Sequence, residues 1–134
     1  MKWLKWFIAG FLAVPLGHQL VLWVLNAIHF INRAPFSMEP TKPFGVPTWI
    51  SLSFWGGVWG LILGLILWRT RGAKYWLLAI VIGAIAPTLV AGLVVAPLKG
   101  IQVPKTPTVI ATGLLVNGVW GLMTAVFYRV MQRR

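Results

Sequence analysis

The sequence predicts an all-α membrane protein of four transmembrane helices, arranged as two tandem parallel helical-hairpin repeats with both termini cytosolic. Three observations predict it: four apolar runs of spanning length, a one-sided distribution of basic residues, and a pentapeptide shared by the second and fourth runs.

Of the 134 residues, 59% are hydrophobic and 10% are charged, and the mean hydropathy is +0.85. A water-soluble domain carries about 25% charged residues, so this surface has to meet lipid. The apolar runs cover 6–31, 48–68, 75–98 and 109–128. Each approaches or exceeds the roughly 20 helical residues that cross a bilayer. Peptide groups inside hydrocarbon have to pair within their own segment, which makes the runs helices. Nothing is left over for a soluble domain, so residues 1–134 read as a single transmembrane domain.

The first run follows Lys2 and Lys5, as in a signal peptide, but its apolar character continues to Ile31 and Ala13-Val14-Pro15 is a poor cleavage site. It is expected to stay as an anchor. The second run is reached through a loop, 33–47, that Pro35, Pro40, Pro43 and Pro47 should stiffen. The third follows a short basic turn, 69–74, and the fourth a loop, 99–108.

Lys2, Lys5, Arg69, Arg71, Lys74, Arg129, Arg133 and Arg134 fall on one side; Arg33, Lys42, Lys99 and Lys105 fall on the other. Basic residues stay on the cytosolic side, so this bias puts both termini of a multi-pass protein in the cytosol. Trp3, Trp6, Trp68, Tyr75, Trp76 and Tyr128 gather at the same interface and Trp49 marks the outer one. A net charge of +11 would suit nucleic acid in a soluble protein. Beside membrane spans it sets orientation and holds lipid headgroups, so the expected partners are membrane lipids, further copies or other membrane proteins, and not nucleic acid.

Gly57-Val58-Trp59-Gly60-Leu61 recurs as Gly118-Val119-Trp120-Gly121-Leu122, and Pro47-Thr48 recurs as Pro107-Thr108. Repeat one is read as 1–69 and repeat two as 70–134. Both hairpins enter the membrane in the same direction, which relates them by an axis along the membrane normal. The second and fourth helices should then occupy equivalent places, facing each other or equivalent partner helices. Gly56, Gly60 and Gly64 recur every four residues, with Asn117, Gly121 and Ala125 as counterparts and Gly113 one step earlier. Small residues at this spacing let helices approach closely, in the manner of a glycine zipper.

Pro15 and Pro87 interrupt the partner helices and free the carbonyls four residues earlier, Phe11 and Gly83. Trp59 and Trp120 lie at similar depth, and an indole nitrogen is a donor only. These tryptophans are expected to pack on the kinks and hydrogen-bond to the freed carbonyls. In the first span, His29 is about 20° and Asn26 about 80° round from His18 at 100° per residue, so the three should share one face. With Thr88 and Asn117 they are the candidates for an interior site or pathway, because polar groups in a span face protein or water.

One carboxylate, Glu39 in a loop, and no cysteine leave no paired acids, carboxylate cage or thiolate site, so neither a metal, a cofactor nor an enzyme activity is expected. The strings Ala34-Pro35-Phe36, 43–47 (PFGVP), 54–60 (FWGGVWG), 95–100 (VAPLKG) and 117–121 (NGVWG) resemble those of small four-span bacterial inner-membrane proteins. That resemblance covers nearly the whole chain and implies a class, multi-pass proteins of the bacterial inner membrane, without active residues. Four-span fluoride channels are similar in size and charge, but their glycine, arginine and phenylalanine motifs are not recognisable here. The expected function is a homo-oligomeric channel or transporter-like bundle for a small solute, ion or lipid. The alternative is a non-catalytic accessory subunit that docks other membrane proteins.

Overall fold

The computed structural model describes residues 1–42 and 44–134; Pro43 of the stiff loop lies outside the described residues. Four helices are long and apolar enough to cross a membrane: α1 (Lys2–Ala27), α2 (Thr48–Leu67), α3 (Gly72–Leu98) and α4 (Pro107–Gln132). This is the architecture of a small polytopic membrane protein. A two-residue antiparallel pair, β1 (Pro40–Thr41) with β2 (Val46–Pro47), lies in the first long loop.

Helix α1 stops short of the end of its apolar run. His29 takes a left-handed conformation (φ 59°), the His29 amide bonds to the Asn26 carbonyl, and the Phe30 amide bonds to the Leu25 carbonyl. This pair of bonds is a Schellman closure, which satisfies the last carbonyls and turns the chain out of the helix. Hydropathy, which stays high to Ile31, carries no trace of it. Helix α4 begins one residue after Thr106, whose side chain accepts the Val109 amide, and Pro107 occupies its first turn.

The two helices with proline beyond their first turn shift to π geometry, at Val14–His18 in α1 and at Ala91–Val95 in α3. In α1 the cause is direct. Pro15 has no N–H, the Val14 amide turns to the Phe11 carbonyl, and the Gln19 amide reaches back five residues to Val14. The Gly10 carbonyl, which Val14 would serve in a regular helix, is thereby left for a partner elsewhere.

Helix α1 packs on α2 and α4, and α4 packs on α3, so α1 and α4 form the centre of the bundle. Helices α2 and α4 barely touch and do not face each other; each lies along the first helix of its own hairpin. Glycine sets both close crossings. A Cβ on Gly10 would run into the Gly56 carbonyl and stand 2.9 Å from the Gly60 Cα, and one on Gly60 would stand 2.5 Å from the Trp6 carbonyl oxygen. In the other hairpin a Cβ on Gly83 would stand 2.7 Å from the Gly121 Cα, and one on Gly121 would run into the Ala79 carbonyl. Gly64 accommodates the Trp6 indole, Gly113 faces Thr88, and Ala125 is fully buried.

The ends carrying the two termini are joined. The Trp6 ring stacks on Tyr128 at 3.7 Å between centroids, Lys5 Nζ donates to the Met131 carbonyl at 2.7 Å, and the Tyr75 hydroxyl donates to the Ala125 carbonyl at 3.0 Å. The outer end of α3 is open around Gly92. Its π turn contributes no buried residue, Leu89, Leu93 and Leu98 are exposed, and a Cβ on Gly92 would meet nothing within 4 Å.

Candidate functional site

Four hydroxyl side chains within the spans are satisfied on their own helix. Ser53, Thr88, Thr112 and Thr124 each donate to the carbonyl four residues back on their own helix, which satisfies a hydroxyl without help from a neighbouring helix. Thr88 also accepts the Asn117 amide at 2.9 Å, and this bond ties α3 to α4. The five candidate pathway residues do not converge. Thr88 and Asn117 meet each other, Asn26 Nδ2 donates to the Ile31 carbonyl at 3.4 Å, and His18 meets Gln19.

The stripe expected along α1 is cut short at its outer end, although His18 and Asn26 are joined by regular helix over Gln19–Ala27. His29 lies beyond the Schellman closure, exposed and off the helix altogether.

The indole pairing has a different acceptor from the one proline chemistry suggests. Trp120 Nε1 donates to the Gly10 carbonyl at 3.0 Å, because Phe11 is taken by Val14 and Gly10 is the group left without a backbone donor. Trp120 is buried at the meeting of α1, α2 and α4, where a Cβ on Gly56 would stand 3.2 Å from its nitrogen. Trp59 is only half-buried, and among the described residues no hydrogen bond runs from it to Gly83.

Gln19, a residue outside the candidate set, organises the outer end. It is 2% exposed. Its Oε1 accepts the Phe36 amide at 2.7 Å, and its Nε2 lies 3.2 Å from His18 Nδ1. A backbone N–H can only donate, which orients the carboxamide; Nε2 then donates to His18, so Nδ1 is the acceptor and the imidazole proton sits on Nε2. Phe36, held at φ 50°, packs edge-on against Trp49 at 5.8 Å. The loop also caps α2: the Thr48 amide bonds to the Glu39 carbonyl at 2.9 Å and the Trp49 amide to Ser37 at 3.3 Å. The signal in the sequence was a buried-type amide one residue from a histidine in an apolar run, but its partner is a backbone group that no side-chain pattern marks.

Gln19→Leu removes the acceptor that holds Phe36 in its unfavourable left-handed conformation. Amide exchange over 33–39 is expected to accelerate about tenfold, the loss of roughly one net hydrogen bond, with the helical signal unchanged. Exchange rates equal to those of the parent chain would show that the loop is held by its other contacts.

Beneath this loop is a cavity of about 160 Å³ lined by Gln19, Leu22, Arg33, Ala34, Ser37, Thr48, Trp49 and Leu52. A second, apolar groove of about 390 Å³ lies between α1 and α4 around Gly17, Leu20, Leu115 and Met123. Among the described residues no group of three or more histidines and acids comes together to hold a metal ion. Comparison with protein-family models, curated proteins and solved structures finds no match for this chain.

Proposed function

We propose that the chain is a multi-pass protein of the bacterial inner membrane, with both termini in the cytosol, that serves as a non-catalytic accessory or assembly subunit docking other membrane proteins. The observation that carries this reading is the outer end of α3 at Ala91–Val95, which buries no side chain and exposes Leu93 and Val94 around an open Gly92. Small residues on a helix surface let a second helix approach closely, and a face without a partner inside the chain is where that approach can occur. The interior polar groups favour the same reading over a solute passage. They are taken up in three separate places, His18 by Gln19, Asn26 by the Ile31 carbonyl and Asn117 by Thr88.

The orientation rests on the basic bias, supported by the Lys5–Met131 and Trp6–Tyr128 contacts that bring both termini to one end of the bundle. A duplicated hairpin is supported by the two glycine crossings. Gly60 and Gly121, equivalent in the pentapeptide alignment, each oppose a glycine and the carbonyl four residues before it, Trp6 before Gly10 and Ala79 before Gly83. The rest of the pattern is unequal, since Trp120 reaches across to α1 while Trp59 makes no matching bond.

Native mass spectrometry after mild detergent extraction from membranes tests the proposal. A fixed stoichiometry with one other membrane protein is expected, lost in Gly92→Trp and kept in Ile62→Trp, which alters an exposed position on α2. A pure homo-oligomer would overturn it in favour of a self-associated bundle for a small solute, ion or lipid. In that case liposome flux should fall when His18 and Asn117 are both replaced by alanine.

A further inference from the structure

The cavity under the outer loop has a polarity that neither helix packing nor docking at α3 requires. Part of its lining is apolar, from Leu22, Leu52 and Trp49. The Trp49 indole N–H is already spent on the Met38 sulfur at 3.3 Å, so the ring serves as a wall. Ser37, the buried Gln19 and Arg33 line the same space. Arg33 is the one charged residue lining the space, and the chain's one acid, Glu39, is not among the lining groups.

A guanidinium presents five N–H donors and no acceptor, in a planar fork that fits the oxygens of phosphate or carboxylate. The Gln19 amide uses one N–H toward His18 and has a second to give. The space is close to the 150 Å³ or so that holds one benzene-sized molecule in a protein interior, so it takes a single small group. It sits beside Trp49 at the start of α2, at the depth where lipid headgroups meet a span.

We propose that this cavity is a binding site for one phosphate oxyanion, held by Arg33 with Ser37 and Gln19, with the apolar atoms attached to the phosphate resting on Leu22, Leu52 and Trp49. The phosphate has two sources, the headgroup of an anionic outer-leaflet lipid or a small phosphate in solution. The loop that Gln19 and Thr48 hold in place forms the roof of this site, which gives the buried amide a purpose beyond bracing one turn.

Two measurements on the full chain in maltoside micelles separate the sources. Native mass spectrometry with added phosphatidylglycerol counts retained lipid, and calorimetric titration with inorganic phosphate reads the soluble anion. Each is run on the parent chain, on Arg33→Gln, on Ser37→Leu, which keeps the charge and fills the cavity, and on Lys105→Gln, which removes an outer cation outside the cavity. The expected result is a loss of one bound phosphatidylglycerol, or at least a tenfold weaker phosphate affinity, in Arg33→Gln and Ser37→Leu only. A change confined to the lipid arm assigns the headgroup, and one confined to the titration assigns the soluble anion. Parent-like behaviour of Arg33→Gln in both arms, or an equal loss in Lys105→Gln, would overturn the site. Arg33 is exposed and, among the described residues, no hydrogen bond runs from its side chain, so its replacement is expected to leave the fold intact.

Discussion

Gly10→Ala is expected to destabilise the bundle by about 3 kcal/mol, the upper end for overpacking, because the added methyl has nowhere to go. The atoms it meets are the Gly56 carbonyl and the Gly60 Cα, both backbone. A crowded side chain can change rotamer; two helices pressed backbone to backbone can only move apart. Separation would pull α2 from α1 and strip the contacts of Val14 and Trp120 around Gly56. Gly121→Ala is expected to do the same between α4 and α3, where the Ala79 carbonyl occupies the position of the new methyl. Gly92→Ala is the control. Nothing lies within 4 Å of its Cβ position, and exchanging a helical glycine for alanine gains roughly 0.5–1 kcal/mol. Thermal unfolding followed by circular dichroism in maltoside micelles reads all three. A Gly10→Ala midpoint equal to that of Gly92→Ala would show that the crossing has slack.

Trp120→Phe is the second large effect, with an expected cost of about 2–4 kcal/mol from two sources. The phenyl ring is smaller than the indole and leaves a void at the meeting of three helices, where Trp120 is buried. It also lacks the N–H that serves the Gly10 carbonyl. No water reaches that carbonyl from lipid, and the backbone cannot supply a donor because Val14 is committed to Phe11. Isotope-edited infrared spectroscopy separates the two sources. A labelled Gly10 carbonyl should shift to higher frequency in Trp120→Phe as its hydrogen bond is lost, whereas a void alone would leave the band in place. Trp59→Phe is expected to cost under about 1 kcal/mol, because Trp59 is half-buried and removing it orphans no carbonyl. If the two substitutions cost the same, the Trp120 hydrogen bond contributes little.

The two tryptophans show how far pattern reading reaches. They sit in identical pentapeptides, so the sequence presents them as equals. They differ because α1 and α4 lie side by side at the centre of the bundle, which puts Trp120 beside Gly10 and leaves Trp59 without an equivalent neighbour. The proline argument was sound in kind, since a freed carbonyl does receive an indole. It named Phe11 instead of Gly10 because it assumed that every other bond in the helix stays regular, and a π turn moves the vacancy by one residue.

Hydrophobic run length was enough to locate four helices, because lipid forces each segment to satisfy its own backbone. Pro15 marked the irregular turn of α1, whereas α3 runs on as regular helix through Pro87 and turns irregular only at Ala91–Val95. Small residues marked the helix crossings for a similarly local reason: only they admit a second backbone. Which helices share a crossing, where α1 ends, and what Gln19 holds were settled by packing. Each depends on groups far apart in the chain, a carbonyl at Gly10 and an indole at Trp120, or an amide at Phe36 and a side chain at Gln19, and a run of residues does not record its distant neighbours.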